Sequence, residues 1–279
     1  MSIQTVTTIL TDEDQLDAQL GAGVGVARAL DAHLQVLALA IGVDNPALVQ
    51  TALDAFPVGV DMEETVVRAG ELSALAKSKL ANEDIRWNVE PIAVTRAISA
   101  IEVARHTKFS DLVVQYRLAG IAGAERTRAL AESVLFDAGA PLLLLPDAEP
   151  IDVPPTNILV SWDESATALR AVRQAMPLLT RADYVHVVMV DPPKDAPDRS
   201  DPGGAFAQYL SRQGIKCELS VCNKDEGGIA ATLERRATEL GCGMMVMGAY
   251  GHSRLREAIF GGTTRTVLLE ASVPVFMAH

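Results

Sequence analysis

Aromatic residues and cysteines are scarce in this chain, and each shortage narrows what the protein can be. Phe, Trp and Tyr make up 4% of the residues while 49% are hydrophobic, so the core must be built mainly from Val, Leu, Ile and Ala. Cys217, Cys222 and Cys242 are an odd number without a CxxC pair, which favours reduced thiols that pack as small apolar residues. The five histidines lack HxH or HExxH spacing, so we predict no metal site.

Basic residues and long apolar runs are also in short supply. The chain has 24 Lys and Arg against 36 Asp and Glu, which gives a net charge of −12. Such a chain is repelled by nucleic acid and by anionic membrane surfaces, so we expect neither as a partner. No run approaches the ~20 apolar residues of a membrane-spanning helix, and the N-terminus lacks the basic region of a signal peptide. We therefore expect a cytoplasmic protein.

The order of apolar patterns indicates two copies of one α/β unit in the 279 residues. A Pro-rich segment, 144–155, separates them and has the composition of an extended linker. The predicted strands are 5–10, 34–41, 85–94, 112–115 and 141–145, then 157–162, 184–190, 216–222, 244–247 and 274–277. The predicted helices are 14–32, 63–80, 97–107 and 127–136, then 165–180, 206–212, 228–240 and 263–271. Alternating strands and helices predict two domains, 1–147 and 156–279, each a five-stranded parallel sheet with helices on both faces.

Glycines cluster where the apolar strand 244–247 gives way to a helical pattern. Gly248 and Gly251 follow the strand, and Gly261 and Gly262 precede the helix. Glycines in this position let backbone N–H groups approach an anion, and the helix N-terminus adds partial positive charge. The pattern predicts a phosphate-binding loop at the carboxyl edge of a parallel sheet.

These residues resemble the universal stress protein family in its tandem two-domain form. The family signature is Gly, two residues, Gly, nine residues and Gly, followed by Ser or Thr. Here Gly248, Gly251 and Gly261 fit that spacing, but Gly262 stands where Ser or Thr is expected. The first strand with its terminal Asp163 and the closing strand also look like the family's. The resemblance covers the second unit throughout and the first by element order and end pattern.

The resemblance implies two Rossmann-like domains of the adenine nucleotide alpha hydrolase type. It also implies a protein of stress response that binds ATP or another adenine nucleotide, with or without Mg²⁺. Asp163 would lie near adenine and ribose, Val190 near the base through its backbone, and the glycine loop around ribose and phosphates. The residues so assigned to the nucleotide site are Asp163, Val190, Met247, Gly248, Gly251, His252, Gly261, Gly262, Thr263 and Thr264.

Several of these positions have a second interpretation. Gly262 offers an N–H but no hydroxyl, and one lost hydrogen bond to a charged group costs about 1.5–3 kcal/mol, roughly one to two decades in affinity. Asp163 is also a candidate N-cap for the helix that follows, as is Ser165. The cationic residues His252, Arg254 and Arg256 either meet phosphates or form a solvated loop face.

The first unit departs from the pattern, and a second glycine cluster is a decoy. Tyr116 takes the place of Gly248, and Arg128 falls about where Gly261 would be, so we expect a degenerate site there. The segment 21–25, Gly-Ala-Gly-Val-Gly, lies within a helical pattern rather than a strand-to-helix turn, which favours close helix packing over dinucleotide binding.

Three classes of function remain open. The first is a nucleotide-responsive stress protein, the second a nucleotide-free scaffold that acts through dimerisation, and the third an enzyme of the wider fold. No acid–base constellation or SGGxDS loop supports the third, so we expect a protein that is not an enzyme. Strands 141–145 and 274–277 end their units as apolar strands, so we predict that they pair antiparallel within one chain. A homodimer would be a further association.

Overall fold

The computed structural model describes residues 2–42, 62–118, 120–146, 153–192, 203–250 and 262–279. In the first half the elements are β1 (Thr5–Leu10), α1 (Leu16–Leu30), β2 (His33–Gly42), α2 (Met62–Leu80), β3 (Trp87–Thr95), α3 (Ser99–Thr107), β4 (Leu112–Tyr116), α4 (Gly120–Glu132) and β5 (Leu142–Leu145). A 3₁₀ turn, Arg96–Ile98, precedes α3, and a π-helical turn, Ser133–Ala138, continues α4.

The second half repeats this order. Its elements are β6 (Asn157–Ser161), α5 (Ala166–Leu179), β7 (Tyr184–Val190), α6 (Gly204–Arg212), β8 (Cys217–Cys222), α7 (Gly228–Glu239), β9 (Met244–Gly248), α8 (Thr263–Glu270) and β10 (Val275–Ala278). Every predicted strand is confirmed to within two residues at each end. No helix within the described residues combines the length and apolar content that crossing a bilayer requires.

One helix was predicted wrongly at its start. Helix α4 begins at Gly120 rather than at Thr127. Gly120 has φ +74°, a left-handed conformation that lets the chain turn into the helix soon after β4. The first half therefore has a short connection at the point where the second half has its glycine-rich segment.

All ten strands form one sheet, in the order β3-β2-β1-β4-β5-β10-β9-β6-β7-β8. Neighbours within each half are parallel, whereas β5 and β10 pair antiparallel, with Phe276 opposite Leu143. The predicted pairing of the two closing strands is thus confirmed, as is the predicted fold of two five-stranded parallel units. The boundaries 1–147 and 156–279 stay predictions, because the sheet continues from one half into the other.

The apolar core lies on both faces of this sheet. One layer contains Phe206, Trp162 and Phe276, and the other contains Met245 and Leu142, all of them buried. Strand β5 shows why apolar runs in the sequence predict the strands. Its four consecutive leucines are buried on both faces of the sheet, as a central strand requires.

Polar contacts also join the halves. The Arg117 guanidinium donates to the carbonyl of Ala271 at 2.8 Å. The Tyr250 hydroxyl donates to Glu132 at 3.2 Å, and the Phe136 ring packs between Tyr250 and His279 at centroid distances of 4.8 and 4.5 Å.

The glycines of segment 21–25 lie within α1, as predicted, but only one of them is packed closely. A Cβ on Gly23 would lie 3.1 Å from Leu34 Cδ1, whereas Gly21 and Gly25 face open space. Close helix packing therefore explains Gly23 alone.

Candidate functional site

The candidate site lies at the carboxyl edge of the second half, between β6 and β9. In the strand order β8-β7-β6-β9-β10, the chain passes from β6 to β7 on one side and later adds β9 on the other. Parallel sheets open a crevice at such a reversal, and ligands bind there. Asp163 follows β6, Val190 ends β7 and Gly248 ends β9, so the fold brings these three predicted residues to one edge.

Gly248 is a glycine for a reason internal to the fold. A Cβ at this position would lie 2.6 Å from the amide nitrogen of Ala168 and 2.7 Å from the carbonyl carbon of Thr167. Both are backbone atoms in the first turn of α5, which therefore packs directly against the end of β9. On the side of Gly248 where a Cβ would point, the space is filled by α5. Any ligand must therefore approach Gly248 from another direction along the sheet edge.

Asp163 is exposed, and it does not cap the helix through its own side chain. Ser165 is the N-cap of α5, since its hydroxyl accepts the Ala168 N–H at 3.0 Å. The Asp163 carboxylate accepts the Ser165 N–H at 3.0 Å and otherwise faces solvent. The N-cap role considered for Asp163 is thus filled by Ser165. The Asp163 carboxylate retains acceptor positions beside the crevice.

The backbone donors at the start of α8 have no partner among the described residues. Gly262 is the N-cap, with φ −66° and ψ 153° and no side-chain cap. The Gly262 carbonyl accepts the Thr266 N–H at 3.2 Å, while the amides of Thr263, Thr264 and Arg265 have no acceptor among the described residues. Unpaired N–H groups at a helix start, together with the helix dipole, favour an anion.

The Thr264 hydroxyl is occupied inside the protein. Thr264 is buried, and its hydroxyl oxygen accepts the Tyr250 N–H at 3.0 Å. The first half makes the same bond, since Leu118 N–H donates to Thr127 Oγ1 at 2.9 Å. A contact present in both halves, including the half without the glycine pattern, serves the fold rather than a ligand.

The side chains of Met247 and Val190 lie wholly or partly within the protein. The Met247 side chain is buried in one of the two apolar layers. Val190 is half-buried at the end of β7 and pairs with Cys222 of β8. Gly251, His252 and Gly261, with Arg254 and Arg256, lie outside the described residues.

Register makes the comparison between halves explicit. Strand β1 pairs Val6 with Leu112, and β6 pairs Ile158 with Met244. Counting along the strands from these pairs shows that Tyr116 occupies the position in the first half that Gly248 occupies in the second, as predicted. By the same count Thr11 is the equivalent of Asp163, so the first half has no carboxylate at that position.

A buried glutamine fills the corresponding space in the first half. Gln19 of α1 accepts the Tyr116 N–H at 2.8 Å and donates to the Val114 carbonyl at 2.9 Å. This corner of the first half is therefore closed by the protein itself.

The threonine bond that both halves share aligns Thr127 with Thr264. Gly261, the expected counterpart of Arg128, lies outside the described residues. The first-half connection is five residues shorter, since the bonded pairs are 9 and 14 residues apart.

Sequence reasoning missed a cavity in the first half. It encloses about 510 Å³ and is lined by arginines from three elements: Arg68, Arg96, Arg126 and Arg128. A sequence signal existed in Arg96, which directly follows β3 at the carboxyl edge of the sheet.

The thiols behave as the small apolar residues predicted. Burial raises the pKa of the Cys242 thiol to about 11, and it raises the pKa of Cys217 and Cys222 above their usual range. All three are therefore protonated at neutral pH. No group of three or more His, Cys, Asp or Glu side chains suited to a metal ion occurs in the part of the chain that the structure describes.

Comparison with known proteins adds the family. Residues 155–279 match the model of the universal stress protein family. A universal stress protein of Synechocystis sp. is 30% identical over 122 residues, which are 43% of this chain and 41% of that protein. The chain thus spans about two fifths of the length of this curated relative.

Solved structures share the fold along the whole chain. A universal stress protein from Archaeoglobus fulgidus has a TM-score of 0.71 at 15% identity, with 99% of this chain and 96% of that chain covered. A protein of unknown function from Pseudomonas aeruginosa PAO1 has a TM-score of 0.59 at 16% identity, with 99% and 92% covered. The second half, residues 155–279, is therefore a domain of the universal stress protein family, and the first half repeats the same fold.

Proposed function

We propose that the second half binds ATP or a related adenine nucleotide, with or without Mg²⁺, at the carboxyl edge between β6 and β9. The observation that supports this most is the start of α8, which has no side-chain cap and where the N–H groups of Thr263 and the two residues after it have no acceptor among the described residues. These donors suit phosphate oxygens. The exposed Asp163 carboxylate suits ribose hydroxyls, which donate hydrogen bonds.

The test uses a proline that fits the helix start. Thr263 is the first residue of α8, a position where proline is favoured, and the extended backbone of Gly262 tolerates a following proline. Thr263→Pro removes one N–H facing the ligand, so ATP affinity should fall by roughly 10- to 100-fold, as one charge-assisted hydrogen bond predicts. Thr263→Ala keeps the N–H and should bind within about twofold of the parent chain.

Calorimetric titration of the full chain measures both variants, with circular dichroism confirming that each is folded. A stoichiometry near one ATP per chain is expected, because the first half has Tyr116 and Thr11 at the matching positions. Equal binding by Thr263→Pro and the parent chain would contradict the role of the helix start. Two equal sites per chain would contradict the assignment to the second half.

A second pair of variants tests the carboxylate. Asp163→Asn and Glu164→Gln remove one negative charge each from adjacent exposed residues. If only the overall electrostatic potential mattered, removing a negative charge would strengthen ATP binding equally in both variants. Loss of a hydrogen bond to ribose would weaken ATP binding only in Asp163→Asn, which is the result we expect.

One observation favours a nucleotide-free scaffold as the second candidate. Gly248 and Thr264 are both explained by contacts within the protein, so neither requires a ligand. In that case the chain would act through partner proteins or as a homodimer, and ATP would produce no heat in the titration above.

We further propose a cytoplasmic protein that binds its nucleotide without turning it over. Protonated thiols at Cys217, Cys222 and Cys242 are poor nucleophiles, which supports a binding role over covalent catalysis. Release of phosphate from ATP by the purified chain, at a rate that Thr263→Pro lowers, would contradict this part of the proposal.

A further inference from the structure

Strand β8 is the last strand of the sheet on the side of the second half, and among the described residues it pairs with β7 alone. At its two ends the carbonyls of Lys216 and Cys222 accept hydrogen bonds from the β7 side. Because backbone groups alternate in direction along a strand, the N–H and C=O groups of Cys217, Leu219 and Val221 point to the outer edge. A row of donors and acceptors is therefore available to a further strand.

The opposite end of the sheet, β3, is built differently. The Leu34 N–H donates to the Arg86 carbonyl at 2.8 Å, so every second residue from Trp87 onwards faces outwards, Pro91 included. Proline has no N–H and interrupts any further ladder, which protects an edge strand from pairing. Segment 216–226 contains no proline, so the edge of β8 is open where that of β3 is blocked.

The charges around β8 complement themselves when the segment is paired antiparallel with a second copy. With Val221 opposite the Val221 of that copy, Glu218 faces Lys224 and Lys216 faces Glu226. Each of these opposite-charge pairs occurs twice, because the two copies contribute equally. All four charged residues are exposed, and Lys224 and Glu226 follow the strand directly, before α7 begins.

The same charges disfavour the neighbouring registers. A slip that keeps every side chain on its own face of the sheet moves the pairing by two residues. In one direction this slip places Lys216 opposite Lys224, and in the other it places Glu218 opposite Glu226. Like charges directly opposite each other are destabilising, so the register centred on Val221 is favoured over both.

Two further contacts suit this register. Val221 is 48% exposed, although it is apolar and lies in a strand, and pairing with its own copy would cover it. Valine is also favoured in paired strands, where its branched side chain packs against a neighbour. Glu218 contacts Nδ1 of His186 through Oε1 at 2.9 Å, which positions the carboxylate and leaves Oε2 for a lysine.

We propose that the outer edge of β8 binds a second copy of this chain, antiparallel and centred on Val221, so that two ten-stranded sheets join into one. Such a contact uses the same surface on both copies and closes as a dimer. It requires no nucleotide, and β8 lies two strands away from the crevice between β6 and β9.

The test is sedimentation equilibrium of the full chain without nucleotide, over a series of concentrations that gives the dissociation constant of the dimer. Glu218→Lys and Lys224→Glu each place like charges opposite one another twice per dimer, and each should raise this constant by about tenfold or more. The two variants change the net charge of the chain in opposite directions, so a loss common to both is not an effect of overall repulsion. Combining both changes in one chain restores opposite charges and should return the constant to within about threefold of the parent value.

A pair of proline variants tests the edge itself. Val221→Pro removes an outward N–H at the centre of the proposed contact, and Val89→Pro makes the same change on the outer side of β3. Val221→Pro should leave the chain monomeric at concentrations where the parent is half dimeric, whereas Val89→Pro should dimerise as the parent does. Circular dichroism checks that both variants are folded, and recovery of the dimer in the double charge variant guards against misfolding in either single one.

Three results would overturn the proposal. They are a parent chain that stays monomeric throughout the series, a dimer that neither charge variant weakens, and a dimer that Val89→Pro weakens but Val221→Pro does not. Failure of ATP binding in the second half would leave all of these outcomes unchanged, because every measurement is made without nucleotide.

Discussion

Adding a single methyl group at Gly248 tests the tightest contact at the candidate site. The Cβ of Gly248→Ala would lie 2.6 Å from Ala168 N and 2.7 Å from Thr167 C, distances that carbon atoms do not tolerate without movement. Both neighbours are backbone atoms of the first turn of α5, so no side-chain rotation can relieve the clash. Either β9 or the start of α5 must shift.

The magnitude follows from two opposing effects. Overpacking of this kind costs typically about 1–3 kcal/mol. Replacing glycine restricts the unfolded chain, which offsets about 0.4–1 kcal/mol. We therefore expect Gly248→Ala to lower the free energy of unfolding by about 1.3 kcal/mol, the difference between the midpoints of these two ranges.

A matched control lies in α1. A Cβ on Gly25 meets nothing within 4 Å, and the residue is exposed in a helix interior. Gly25→Ala should therefore raise the free energy of unfolding by about 0.5–1 kcal/mol, the difference in helix propensity. Urea unfolding followed by circular dichroism, with midpoint and slope compared, measures both variants. If Gly248→Ala were as stable as the parent while Gly25→Ala behaved as expected, the contact with α5 would not be the reason for this glycine.

Two further predictions concern buried groups. Thr264→Val should lower the free energy of unfolding by about 1–3 kcal/mol, because the Tyr250 N–H loses the hydroxyl that accepts its hydrogen bond. Thr264→Ser keeps that hydroxyl and should lower the free energy of unfolding by less, which urea unfolding of both variants measures. Burial raises the pKa of Cys242 to about 11, so iodoacetamide should alkylate this thiol at pH 8 at least tenfold more slowly in the folded chain than in urea. The rate in the folded chain should rise as the pH approaches 11. Peptide mass spectrometry measures both rates, and equal rates at pH 8 would refute the prediction.

The fold was largely predictable because its strands are short apolar runs between clear turns. Strand β5 is four buried leucines, and Tyr184–Val190 is another such run with predicted ends that match the observed ones. The exception is the start of α4. Gly120 and the short connection before Thr127 let this helix begin seven residues earlier than predicted.

The site was less predictable, because its determinants join residues far apart in the chain. Gly248 owes its identity to Thr167 and Ala168, some 80 residues earlier, and no local pattern reveals that contact. The arginine-lined cavity likewise depends on elements that come together only in the folded sheet. In contrast, the substitution of Tyr116 for Gly248 was readable, because both follow an apolar strand at the same distance.

The antiparallel junction of β5 and β10 has a consequence for symmetry. In a dimer of identical subunits, the residue on the two-fold axis faces its own copy, so a bulky side chain there must fit against itself. Here Phe276 faces Leu143, and both are fully buried. That unequal pair is possible only because the two halves are encoded separately, so a substitution in one half need not be repeated in the other.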